Sequence, residues 1–188
     1  MRRSRLLCLL VLGAVLQGCL PLLATGVGSG ALMATDRRSS GIYIEDEAIE
    51  NKALSRIGAQ FKERVHVNVT SFNRKMLLTG EVPDETTRAE IGKIAAAVEN
   101  VRDVHNATVI ALPSSLTSRS NDALLTSKVK FNFTNNKRFS PSHVKVITEN
   151  ETVYLLGLVK RVEADAASEI ASTTAGVRKV VRVFEYLD

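Results

Sequence analysis

The chain has 188 residues, 45% of them hydrophobic, no tryptophan, and a formal charge of +5 from 25 basic and 20 acidic side chains. Three of those cations, Arg2, Arg3 and Arg5, stand at the extreme N-terminus, and the rest of the chain carries only +2. With no Lys/Arg run longer than two residues downstream, the sequence lacks the electrostatic footprint of a nucleic-acid binder.

The first 18 residues read as a secretory leader. An apolar core of 11 residues, Leu6 to Leu16, follows the arginines. It is shorter than the roughly 20 residues a membrane-spanning helix needs. Leu16-Gln17-Gly18-Cys19 then has the form of a lipobox, with a branched apolar residue three positions before the cysteine and a small one directly before it. Residues 1–18 are therefore expected to be removed and Cys19 to carry diacylglycerol and an N-acyl chain, with palmitate as a plausible acyl group. An ordinary buried cysteine behind a plain leader is the alternative. No cofactor is expected beyond these covalent lipids. Cys8 falls inside the leader, so the mature chain keeps one thiol and no disulfide, and its domains must rest on buried apolar surface. A single acyl chain gives marginal residence, at about 0.8 kcal/mol per buried CH2, so several chains make the anchor firm. Leu20 stands where aspartate usually signals inner-membrane retention, which favours the outer membrane.

Residues 19–40 read as the lipidated cysteine and a flexible tether rich in Gly, Ala and Leu. Beyond it the sequence repeats. Val67-Asn68-Val69-Thr70 answers Val144-Lys145-Val146-Ile147, and Leu77-Leu78-Thr79-Gly80 answers Tyr154-Leu155-Leu156-Gly157, both 77 residues apart. Each copy opens on a helix with an apolar stripe, Ile49, Ala53 and Ile57 in the first and Leu125, Val129 and Phe133 in the second. Two alternating strands follow, over 65–71 and 74–80, then 143–148 and 151–157. Asn73 and Asn150 mark the turns between them. A second helix is predicted over 84–98 and 161–174, with Ala89, Ile94, Ala95 and Val98, then Val162, Ala166, Ile170 and Ala171, on its apolar side. A last strand spans 101–110 and 177–187. The fold class is α+β: two tandem αββαβ domains, 41–110 and 121–188, each a three-stranded mixed sheet with two helices on one face, joined by a linker over 111–120. Units of about 65 residues are small for cores without disulfides, so the copies have reason to pack on one another.

The duplicated unit resembles the BON domain, through the recurring Gly80 and Gly157 and the ending Gly176-Val177-Arg178-Lys179-Val180. The whole chain is similar to dual-BON outer-membrane lipoproteins, sharing Ala34-Thr35-Asp36-Arg37, Ser120-Asn121-Asp122 and Val144-Lys145-Val146. The enterobacterial pattern has proline where Arg37 stands here. The resemblance implies a structural role for the two glycines and binding of anionic phospholipid by the first helix of the second domain. It also implies the periplasmic face of the outer membrane, support of envelope integrity and gathering at division sites. A tryptophan of that helix meets lipid in relatives of this kind; Leu124 holds the matching position here.

The residues suggest the same surface. Leu124, Lys128 and Phe131 form a second stripe on that helix, displaced by roughly 100° from the core stripe. Two large apolar residues flanking a lysine suit the headgroup boundary of a membrane, and Lys137 and Arg138 follow in the next loop. The corresponding stripe of copy one, Ala48, Lys52 and Ser55, offers little to lipid. Residues 45–110 hold 9 basic and 11 acidic side chains against 10 and 8 in residues 120–188. Three other readings stay open: packing of Leu124 and Phe131 on the other domain, an adaptor surface for an envelope-assembly or division protein, or a purely structural lipoprotein with no specific ligand. Catalysis is not expected. His66 and His143 share one repeat position and read as structural, His105 has no ligand-spaced partner, and no metal site is expected. Ser114, Ser115 and Ser118 sit in the linker, and Glu163, Asp165 and Glu169 read as a solvated helix flank.

Overall fold

The hairpins fix the geometry of each repeat. Asn73 and Arg74 have φ of 52° and 66°, and Asn150 and Glu151 have 48° and 58°, so both two-residue loops lie wholly in the left-handed region. Loops of that kind match the twist of the strands they join. In the computed structural model, which describes residues 36–188, the elements of copy one are α1 (Ser40–Phe61), β1 (His66–Phe72), β2 (Lys75–Val82), α2 (Glu85–Ala96), β3 (Asp103–Asn106) and β4 (Val109–Ile110). Those of copy two are α3 (Leu116–Thr134), β5 (Val144–Glu149), β6 (Thr152–Val159), α4 (Arg161–Thr173) and β7 (Lys179–Tyr186). The leader, the lipobox with Cys19, and all but the last residues of the predicted tether lie outside the described residues.

In each copy the second strand is central, antiparallel to the first and parallel to the last. The fold class read from the sequence is the one observed, with one difference. The single last strand expected in copy one is two short strands, β3 and β4, both on β2 in the same register. The break at Ala107 and Thr108 lies across from Thr79 and Gly80, where Gly80 has φ +106°. Asn106 fills the gap: its Oδ1 accepts from the Thr108 amide and hydroxyl, and its Nδ2 donates to the Arg88 carbonyl. Gly157 has no positive φ, and β6 pairs with β7 without interruption.

Three clusters make up the interior. α1 and α2 cover one face of the first sheet through Ile49, Ala53, Ile57, Met76, Leu78, Val82, Ile91 and Ala95. α3 and α4 do the same in copy two through Val129, Phe133, Val153, Leu155, Val159, Ala164 and Ala167. The third cluster, Phe72, Leu77, Tyr154, Leu156, Leu158 and Val183, joins the two sheets by their other faces. The central strands are thus buried on both sides, and the repeats share an interior in place of a solvent face.

Ile94, Ala95 and Val98 in copy one, and Ala166, Ile170 and Ala171 in copy two, pack on the cores as expected. One residue of each second helix and two boundaries differ from expectation. Ala89 is exposed and Val162 is 74% exposed; Thr87, Ile91 and Ala95 face the first core, and Ala164, Ala167 and Ala171 the second. Helices this rich in alanine give periodicity little contrast to work with. α3 begins at Leu116, inside the segment read as linker, because Ser115 caps it by accepting the Ser118 amide at 3.1 Å. Residues 36–39, read as tether, are held against both domains, as described next.

Candidate functional site

α3 presents two unlike faces. Leu125, Val129 and Phe133 are buried against the sheet, whereas Leu124 is 61% and Phe131 66% exposed, with Lys128 exposed between them. Leu124 and Phe131 therefore do not pack on the first domain. The helix carries Arg119, Lys128 and Lys130 against one acid, Asp122, which is buried and engaged with backbone. Among the described residues Lys128, Lys130 and Lys137 enter no ion pair. Lys137 is exposed in the following loop, whereas its neighbour Arg138 is drawn 2.7 Å from Glu169, which offsets much of its charge. Phe139 belongs to the core, edge-on to Phe133 with centroids 5.0 Å apart.

α1 is the reverse in charge. It carries Glu45, Asp46, Glu47 and Glu50 against Lys52 and Arg56, and Lys52 is paired with Glu99 at 2.7 Å. Its exposed apolar residues are the adjacent Tyr43 and Ile44, beside Glu45 and Glu47, and Leu54, between Lys52 and Arg56. No described helix is long and apolar enough to cross a membrane.

Both first helices also do a structural task that the sequence reading missed. Asp46 accepts the amides of Asn73 and Arg74 at 2.8 and 2.7 Å, and Asp122 accepts those of Asn150 and Glu151 at 2.8 and 2.9 Å. Each carboxylate thus holds its own hairpin turn against the helix. The visible signal is an acid placed on an apolar stripe, three residues before Ile49 in one copy and before Leu125 in the other.

Two arginines preceding α1 take hold of one domain each. Arg38, its side chain only 6% exposed, pairs with Asp46 at 2.8 Å and lies over the Phe72 ring, 3.9 Å from its centroid. Arg37 grips Glu163 with two bonds of 2.7 and 2.8 Å and donates to the Leu158 carbonyl. The Arg37 bonds to Glu163, opposed by burial, are the main reason its carboxyl is lowered to about 2 from 4.5. A carboxyl lowered on folding adds stability above its unfolded value and gives it up as the pH falls through its folded one. Between pH 4.5 and 2 the protein is thus expected to lose stability that a Glu163→Gln variant does not lose. Urea midpoints across that range check this, and parallel slopes for the two proteins would remove Arg37 from the account.

The other residues singled out for chemistry are tied elsewhere. Ser115 is the helix cap, the Ser114 amide donates to Glu81, and Asp165 pairs with Arg182 at 2.6 Å. His143 lies 3.6 Å from Glu163, and His105 is held below its usual basicity by burial and by Lys75. His66 is different: it meets Glu81 at 2.8 Å and shares a small volume with Glu149 of the other domain.

Comparison with known proteins gives a consistent picture. The family model described as BON domain matches residues 45–111 and again 121–188. The chain is 39% identical over 183 residues to the outer membrane lipoprotein DolP of Haemophilus influenzae, covering 95% of each. It is 33% identical to a 21 kDa hemolysin of Actinobacillus pleuropneumoniae, over 81% of this chain and 79% of that one. Neither of these is named for a catalysed reaction. Among solved structures, the C-terminal domain of CdsD, a structural protein of the type III secretion system of Chlamydia trachomatis, covers 73% of this chain and 96% of its own at 12% identity. Its TM-score of 0.31 adds nothing to the assignment.

Proposed function

The chain belongs to the BON-domain family, and from that premise we propose that it is an outer-membrane lipoprotein whose second domain binds anionic phospholipid through α3. Cys19 lies outside the described residues; its role as the lipidated anchor is supported by the lipobox and by likeness to an outer membrane lipoprotein along 95% of the chain. On this reading the body faces the periplasm, and lipid contact serves envelope integrity and division.

One observation carries the reading. Leu124 and Phe131 stand exposed on either side of Lys128, on a helix whose only acid is already engaged. Each basic side chain near an anionic surface contributes about 1 kcal/mol. Lys128 and Lys137 are available for this, and Arg138 adds less while Glu169 holds it. The two apolar side chains add partial burial at the headgroup boundary, where a full burial is worth about 1.5–3 kcal/mol.

The test is flotation of residues 35–188 with vesicles, a fragment that keeps the Arg37 and Arg38 contacts and lacks Cys19. Binding to phosphatidylglycerol vesicles, weak on phosphatidylcholine, is expected to fall at least tenfold, about 1.4 kcal/mol, in a Leu124→Glu, Phe131→Glu variant. Undiminished binding by that variant would sink the assignment. A second reading, an adaptor for an envelope or division protein, draws on the exposed Val109, Ile110 and Leu112 between the domains. Crosslinking from those positions to a protein, with no vesicle binding, is its signature.

A further inference from the structure

The strand register places His66 directly across from Glu81, on the face of the first sheet that meets the second domain. Glu149, at the end of β5, enters the same space from the other side. One ligand atom from each of the three lies within 4.8 Å of the others. Glu81 is only 4% exposed, and its sole ionic partner among the described residues is His66; Glu149 has none. Two carboxylates this close, one of them buried, repel each other unless positive charge is supplied. The nearby arginine and lysine do not supply it, and His66 does so only when protonated. Arg119 turns to the Ser114 hydroxyl at 3.3 Å, and Lys130, on the same groove, pairs with neither carboxylate.

We propose that His66, Glu81 and Glu149 bind a first-row divalent metal ion between the two domains, with Zn2+ as the probe that best fits the donors. One imidazole and two carboxylates make three protein ligands, leaving a fourth position for water. The imidazole favours such an ion over Ca2+ or Mg2+, which prefer oxygen alone. The carboxylates are already oriented by outer donors. Asn68 Nδ2 and Thr79 Oγ1 donate to Glu149 Oε2 at 2.9 and 3.0 Å, and the Ser114 amide donates to Glu81 Oε2 at 3.1 Å. A groove of about 640 Å³, lined by His66, Asp122 and Glu149 among others, gives an ion a way in. The ligand set is complete only when the domains are docked, so binding stabilises the docked pair. Sequence spacing could not show this site, because its third ligand comes from the other repeat.

The experiment uses the full chain in detergent, titrated with ZnCl2 by calorimetry and with Co2+ by its visible spectrum. One ion per chain should bind at this site, the thermal midpoint should rise with Zn2+ and not with Mg2+, and the His66 ring nitrogens should shift in 15N spectra. Glu149→Gln and His66→Gln should each weaken binding at least tenfold, while Glu169→Gln leaves it unchanged. Any ion held by a free thiol would persist in all three variants, so unchanged Zn2+ binding in the first two overturns the proposal. So does a full chain that takes up no Zn2+ at about 100 μM, a concentration that corresponds to weak binding. Circular dichroism on both variants separates lost ligands from lost fold.

Discussion

Gly80→Ala is expected to cost the first domain about 3–5 kcal/mol, a large part of the about 5–15 kcal/mol that holds a typical domain together. Two penalties combine. A Cβ at this position would stand 2.1 Å from the His66 carbonyl oxygen, and that oxygen belongs to a strand already paired along seven positions. The backbone there also has φ +106°, which side chains of L-residues rarely adopt. Gly157→Ala should cost less, about 2–3 kcal/mol, because the 2.3 Å approach to the His143 oxygen remains but no positive φ accompanies it. Urea denaturation of both variants measures the difference. Equal losses would mean that the carbonyl approach, and not the backbone conformation, decides the cost.

Asp46→Ala should be the next most damaging change, at about 3–5 kcal/mol, with Asp122→Ala about 1 kcal/mol milder. Both remove the acceptor for two turn amides. Asp46 additionally accepts from the buried Ser71 hydroxyl at 2.7 Å and balances Arg38, which would keep only Asp36 as an ionic partner. Amide exchange gives a local reading. Asn73 and Arg74 should lose protection in the first variant and Asn150 and Glu151 in the second, each without affecting the other turn. Loss at both turns from either substitution would show that the hairpins are not braced separately.

Much of the fold is written in the sequence because it is written twice. The repeat placed the hairpins, and the Ile49 and Leu125 stripes gave the buried faces of the long helices, which are the faces observed. The runs Met76-Leu77-Leu78 and Tyr154-Leu155-Leu156 read as parts of alternating strands, and they prove to be covered on both sides. The alanine-rich second helices were harder to phase, since one methyl differs little in burial energy from one face to the next. For the candidate surface, the exposure of Leu124, Lys128 and Phe131 agrees with the helical wheel, whereas the Glu169 contact of Arg138 does not follow from it. The Arg37 grip on Glu163, and the meeting of His66 with Glu149, escaped the reading for one reason. Each joins residues whose proximity depends on how the two repeats dock, and periodicity carries no information about that.

The apolar cluster between the sheets bears on the history and handling of the molecule. Phe72 and Leu77 come from one copy; Tyr154, Leu156, Leu158 and Val183 come from the other. Once a duplication has turned two wet faces into one dry one, deleting either copy leaves the survivor with an aggregation-prone surface. Selection then keeps the pair together, even if only one copy ever touches a ligand. The quieter repeat earns its retention as the other's missing wall.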